Sequence, residues 1–73
     1  MIKNDDIAKQ ISDLMLDCGA RLDKSVELVM NECEDEDFQI YRSAVGEIMG
    51  AILLEVLNPL YRTHPELKPK ELR

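Results

Sequence analysis

Apolar side chains recur at helical spacing through the first half of the chain. They stand three or four positions apart, which places them on one stripe of an α-helix. The stripe consists of Ile7, Ile11, Met15, Cys18, Leu22, Val26, Val29 and Cys33. Asn4 suits the N-cap, and Asp5 and Asp6 follow where the helix dipole favours negative charge. The pattern predicts one helix over about residues 5–32, with a break near Gly19 as the alternative.

A second apolar stripe follows in a different phase. Its members are Phe38, Tyr41, Val45, Ile48, Ile52 and Val56. Continuing the first stripe would require apolar residues near 36 or 37, where Glu36 and Asp37 stand instead. We therefore predict an acidic turn over about 33–36 and a second helix over about 37–57. Helices joined by so short a turn form an antiparallel hairpin.

The acidic run that begins at Glu34 has three interpretations. Contiguous acids suit the first turn of a helix, where they face unpaired N–H groups. A calcium loop instead alternates its oxygen ligands around a glycine, so a solvated corner is favoured over an ion site. The third interpretation is an acidic surface that attracts a basic protein partner, or that merely keeps the protein in solution. That surface would comprise Asp13, Asp17, Glu32, Glu34, Asp35, Glu36 and Asp37.

The segment from 43 to 60 is apolar around most of its predicted helix. Its only charged residues are Glu47 and Glu55. These two glutamates in a short span oppose membrane insertion, so the surface must be covered by protein. We expect a homodimer in which two hairpins form a four-helix bundle. The expected self-association interface is Val45, Gly46, Met49, Gly50, Leu53, Leu54 and Leu57.

Gly46 and Gly50 stand four residues apart within that segment. Small residues at this spacing let two helix backbones approach closely, although the motif is best attested in membranes. The alternative is that both glycines relieve crowding against the first helix. Either arrangement requires tight packing, because glycine lowers helix propensity.

The C-terminal segment combines proline punctuation with three apolar anchors. Pro59 predicts a stop or kink at the end of the second helix, and a short helix or extended tail over 59–73. Thr63 and Glu66 match the spacing of a capping box. Leu60, Tyr61 and Leu67 are expected to fold this segment onto the bundle end. The alternative is a docking peptide for a larger partner.

Size and charge narrow the class of protein. A chain of 73 residues forms a single small domain, here all-α, and small domains often need a partner subunit. The net charge of −6 opposes binding to nucleic acid or to anionic membranes. The first residues contain no apolar leader, so a cytoplasmic protein with free thiols is expected.

Residues suited to catalysis or metal binding are few. The chain has a single histidine, His64, and no glycine-rich phosphate loop, so we expect no enzyme and no cofactor. Cys18 and Cys33 lie about 22 Å apart along one helix and are interpreted as buried small hydrophobes. Thiol exchange across a dimer is the alternative for Cys33. No metal site is expected, because structural zinc needs four close ligands.

Two functional hypotheses follow. The leading one is a non-enzymatic, acidic helical dimer that binds another protein as an adaptor or regulator. The alternative is a carrier of a small molecule or metal in a cavity between the helices. Methionines adapt to varied ligands, so that cavity would be lined by Met15, Met30, Met49 and the two thiols.

Overall fold

The computed structural model describes residues 1–69, and all regular secondary structure in that range is helical. The elements are α1 (Asp5–Glu32), α2 (Asp35–Ala51), a π-helical segment (Ile52–Leu57), α3 (Asn58–Thr63) and a 3₁₀ turn (Pro65–Leu67). The predicted all-α fold is confirmed. The end of the predicted tail, residues 70–73, lies outside the described residues.

Helix α1 has the bounds expected from its sequence. The Asn4 side chain accepts a hydrogen bond from the Ile7 N–H at 3.1 Å, which satisfies one free donor of the first turn. The helix passes Gly19 without a break. It ends where Cys33 becomes extended, although the Cys33 N–H still donates to the Val29 carbonyl at 3.0 Å.

The corner between the helices is shorter than predicted. Helix α2 begins at Asp35 rather than near 37, and Asp35, Glu36 and Asp37 form its first turn. Their carboxylates lie where the backbone N–H groups are unpaired and the helix dipole is positive. Most of the acidic run thus belongs to α2.

Two hydrogen bonds between tyrosine and serine side chains establish the antiparallel arrangement. Tyr41 in α2 bonds Ser25, and Tyr61 in α3 bonds Ser12, each at 2.8 Å. As the chain advances through α2 to α3, its partners in α1 move towards the α1 N-terminus. The result is a slender hairpin of 44 × 20 × 15 Å.

The helical path continues through Pro59, where sequence predicted a stop or kink. The Asn58 N–H donates to the Leu53 carbonyl, five residues back rather than four. Proline has no N–H and disturbs a regular α-helical ladder. The wider π-helical turn changes the hydrogen-bond register immediately before Pro59, and helical geometry then extends to Thr63.

The C-terminal segment folds back onto its own hairpin. Within residues 1–69, the buried apolar residues are Ala8, Val45, Leu57, Leu60 and Tyr61. Ser12 and His64 are the buried polar residues. Ala8 and Ser12 are buried in the first turns of α1, where Tyr61 of α3 bonds Ser12. Ile7 and Ile48, both placed on the predicted buried stripes, are 44% and 50% exposed.

The predicted capping box does not form. Thr63 is the last residue of α3 and therefore cannot cap a new helix. Its hydroxyl bonds the Pro59 carbonyl at 3.5 Å and the amino group of Met1 at 3.1 Å. The Glu66 carboxylate faces the ring of His64 instead of the Thr63 backbone.

Candidate functional site

An open apolar groove runs along one long face of the hairpin, between α1 and α2. Near the corner it is lined by Val26, Met30, Phe38, Val45 and Gly46. Nearer the chain termini it is lined by Met15, Leu16, Gly19, Gly50, Leu53 and Leu57. Asp23 and Met49 line both segments, so the two segments adjoin along the same face. We refer to it as the apolar groove.

Six of the seven residues predicted for self-association line this groove. Val45 and Leu57 form its floor and are only 2% and 4% exposed, so they belong to the hairpin's own core and offer little surface to a partner. Gly46, Met49, Gly50 and Leu53 are more accessible. Leu54 is 65% exposed but does not line the groove.

The two glycines of α2 are open to their surroundings. A Cβ atom added to Gly46 or Gly50 would meet no heavy atom within 4 Å beyond its own helix backbone. Relief of crowding against α1 therefore does not account for either glycine. By contrast, a Cβ on Gly19 would lie 4.0 Å from the Met49 Cε atom.

The edges of the apolar groove carry opposite charges. Asp23 and Glu27 line it from α1, and Arg42 lines it from α2. All three are exposed. One edge is therefore acidic and the other basic.

Three residues from opposite ends of the chain meet beside the first turn of α1. The Nδ1 atom of His64 lies 3.1 Å from Asp5 Oδ1 and 3.5 Å from Glu66 Oε1. The three ligand atoms lie within 4.8 Å of one another. We call Asp5, His64 and Glu66 the chain-end cluster.

The ring of His64 is fixed in this cluster by burial and by a hydrogen bond. Its side chain is 4% exposed, and Nε2 lies 2.6 Å from the Ile2 carbonyl oxygen. A carbonyl can only accept, so Nε2 carries the hydrogen and donates it. Nδ1 then faces two carboxylates, an arrangement that is attractive only with a proton or a cation between them.

Sequence reasoning missed the chain-end cluster. The sequence indicates Asp5 as a helix-start residue and Glu66 as part of a capping box, and it places no other metal ligands close to His64. The cluster forms only because α3 and the 3₁₀ turn return to the start of α1. The spacing of these residues along the sequence gives no indication of that contact.

The predicted acidic surface is divided into two parts. Asp13 pairs with Lys9 at 3.0 Å, and Asp17 pairs with Arg21 at 3.1 Å, all on the exposed side of α1. The remaining acids, Glu32, Glu34, Asp35, Glu36 and Asp37, lie exposed at the corner. Asp17 and Glu32 are about 22 Å apart along α1, so the seven residues form no single patch.

The three methionines predicted for a carrier cavity line the apolar groove, but the two cysteines do not. Met15 and Met49 line one segment of the apolar groove and Met30 lines the other. Neither cysteine belongs to the groove lining. Both thiols are free, Cys18 is half-buried, and Cys33 is exposed, contrary to prediction, because α1 ends immediately before it.

Comparison of the chain with protein-family models, curated proteins and solved structures found no match. Within residues 1–69, no helix combines the length and the hydropathy that a membrane crossing requires. Function is therefore inferred from the apolar groove, the corner acids and the chain-end cluster.

Proposed function

We propose that this chain is a self-associating helical module, in which two hairpins pair through their apolar grooves to form a four-helix bundle. The bundle acts without catalysis, as an adaptor or regulator that binds another protein. One observation carries the proposal: the apolar groove is open along the hairpin, and Gly46 and Gly50 leave space above α2. An approaching helix can come close at such positions.

The size of the exposed surface supports a second copy as the occupant. The accessible area is 5564 Å², whereas a compact monomer of this mass exposes roughly 4,600 Å². The excess of roughly 950 Å² is slightly more than the roughly 800 Å² that each partner contributes to a standard interface. Residues 1–69 contain five buried apolar residues, so the hairpin also gains more from association than a larger domain would.

The charged edges of the groove support the same occupant. A two-fold axis parallel to the helices brings the α1 edge of one copy against the α2 edge of the other. Asp23 and Glu27 of each copy would then face Arg42 of its partner. Pairs of this kind set the register of an interface more than its strength.

The substitution Gly50→Ala tests the proposal, because it should stabilise a lone hairpin but weaken a dimer packed at this position. In a lone hairpin this change stabilises the fold by about 0.5–1 kcal/mol, because alanine is the better helix former and its methyl group has room. In a dimer packed at Gly50, the methyl group separates the helices. We expect sedimentation equilibrium to show a wild-type dimer and at least tenfold weaker dimerisation of Gly50→Ala.

A larger substitution supplies a matched control. Gly50→Leu should abolish the dimer, whereas Ala51→Leu adds bulk at the next, exposed position outside the groove lining and should retain it. A folded 8.4 kDa wild-type monomer at low micromolar concentration would refute self-association. Such a monomer with a bound small molecule in native mass spectrometry would favour the carrier hypothesis instead.

The corner acids are the surface we assign to a basic protein partner. They lie together at one end of the hairpin, away from the apolar groove's terminal segment, whereas Asp13 and Asp17 already have partners on α1. We expect Glu34→Gln/Glu36→Gln to lose a salt-sensitive partner identified by pull-down and mass spectrometry. Asp13→Asn/Asp17→Asn should retain it, and equal binding by both variants would exclude the corner.

A further inference from the structure

The chain-end cluster has the composition of a metal site, and we propose that Asp5, His64 and Glu66 bind a divalent transition-metal ion of the zinc class. The ligand atoms are His64 Nδ1, Asp5 Oδ1 and Glu66 Oε1. One imidazole with two carboxylates suits zinc and similar first-row ions, whereas magnesium prefers oxygen ligands alone. The two carboxylates also balance the charge of a divalent ion.

The distances within the cluster fit such an ion. Zinc bonds of about 2.0–2.1 Å at tetrahedral angles place neighbouring ligand atoms roughly 3.3–3.4 Å apart. His64 Nδ1 lies 3.1 Å from the Asp5 oxygen and 3.5 Å from the Glu66 oxygen. Both carboxylate side chains are largely exposed, so small rotations can adjust the remaining distance. Three protein ligands leave the fourth position to water.

The surroundings of the imidazole are a separate observation in favour of the site. Histidines that bind metals usually donate their other ring N–H to a carbonyl or carboxylate, which fixes the tautomer and the ring orientation. Here Nε2 donates to the Ile2 carbonyl at 2.6 Å. Burial of the ring to 4% exposure then holds Nδ1 towards the two carboxylates.

A proton on Nδ1 is the competing occupant of the same position. It would allow His64 to donate to Asp5 and Glu66 without any metal. A metal ion that binds Nδ1 must displace that proton, so the two arrangements exclude each other. They differ in whether added metal changes the stability of the fold.

A metal bound here would join the start of α1 to the segment after α3. Residues 5 and 64 come together only in the folded chain, so the ion binds the native state and not the unfolded one. Folding stability then rises with metal concentration. A metal bound here would therefore stabilise the fold, and the site lies at the opposite end of the hairpin from the corner acids.

Thermal unfolding of chelator-treated full-length protein, with and without zinc, tests the site. The experiment uses Cys33→Ser as the background, because an exposed thiol can itself bind zinc. At zinc a hundredfold above Kd, the Tm should rise by roughly 10 °C. Magnesium at the same concentration should leave the Tm unchanged.

Substitutions of the two carboxylates separate loss of zinc binding from loss of folding. Asp5 and Glu66 side chains are 86% and 64% exposed, so Asp5→Asn and Glu66→Gln should fold normally. Each should weaken zinc binding at least tenfold by titration calorimetry, while the neighbouring control Asp6→Asn should not. The proposal fails if zinc leaves the Tm unchanged, or if it stabilises Asp5→Asn and Glu66→Gln as much as the background protein.

Discussion

The two ends of the hairpin differ in how completely they are enclosed. At the closed end, where Ile2 contacts His64, the residues Ala8, Ser12, Leu60, Tyr61 and His64 are each at most 6% exposed. From residue 13 to residue 44, which includes the corner, no residue is buried. Two helices cannot surround a core by themselves, and at the closed end further segments lie against them, because Met1 and Ile2 bond Thr63 and His64 and the 3₁₀ turn follows. A partner would therefore bury the most additional surface along the part of the hairpin from residue 13 to residue 44.

Truncating a leucine at each end is the strongest test of this contrast. Leu60 is fully buried, so Leu60→Ala should cost about 2–5 kcal/mol of unfolding free energy. Leu28, towards the corner, is 61% exposed, and Leu28→Ala should cost less than about 1 kcal/mol. Urea unfolding followed by circular dichroism measures both. Equal losses would mean that the two ends are equally enclosed.

The two serine–tyrosine hydrogen bonds provide a finer comparison. Ser12 and Tyr61 are both buried and have no other side-chain partner, so Tyr61→Phe should cost about 1–2 kcal/mol. Ser25 also donates to the Leu22 carbonyl at 2.6 Å, so it remains satisfied in Tyr41→Phe. That variant should lose less than about 0.5 kcal/mol in the same assay. A larger loss from Tyr41→Phe would reverse the expected order.

The N-caps of α1 and α2 also differ, and substitutions there should change the unfolding free energy by smaller amounts. Asn4 caps α1 through its side chain, and Asn4→Ala should cost about 1 kcal/mol. Glu34, the residue before α2, makes no side-chain capping bond, and Glu34→Ser should gain about 0.5 kcal/mol or more. Thermal melts resolve these changes of a few degrees. A stability loss in Glu34→Ser would show that its carboxylate already serves the helix dipole better than a hydroxyl can.

The local features of the fold could be predicted from sequence because they depend on neighbouring residues. Asn4 and the following acids determine where α1 begins, and the change of phase at Glu36 and Asp37 locates the corner. The apolar groove could also be anticipated, since an α2 helix with too few charges must present apolar surface outside its own hairpin. Glycine spacing then identified Gly46 and Gly50 within it.

Features that depend on distant contacts or on a change of helical register could not be predicted in this way. A period of 3.6 residues assumes a regular helix, but the π-helical segment changes the rotation between Ile52 and Leu57. That change explains why Thr63 lies inside α3 rather than at a cap. The chain-end cluster is even harder to predict from sequence, because Asp5 and His64 are separated by most of the chain and share no periodic pattern.

The π-helical segment makes the sequence length between α2 and α3 critical. Each residue of an α-helix rotates the chain by about 100° and advances it about 1.5 Å. Removing one residue from Ile52–Leu57 would restore a regular α-helix. All residues that follow would then be rotated about the helix axis by more than a quarter of a turn. Tyr61 would then turn away from Ser12, and His64 would leave Asp5. An exchange at an exposed position of this stretch, such as Glu55, should be tolerated where the loss of one residue is not.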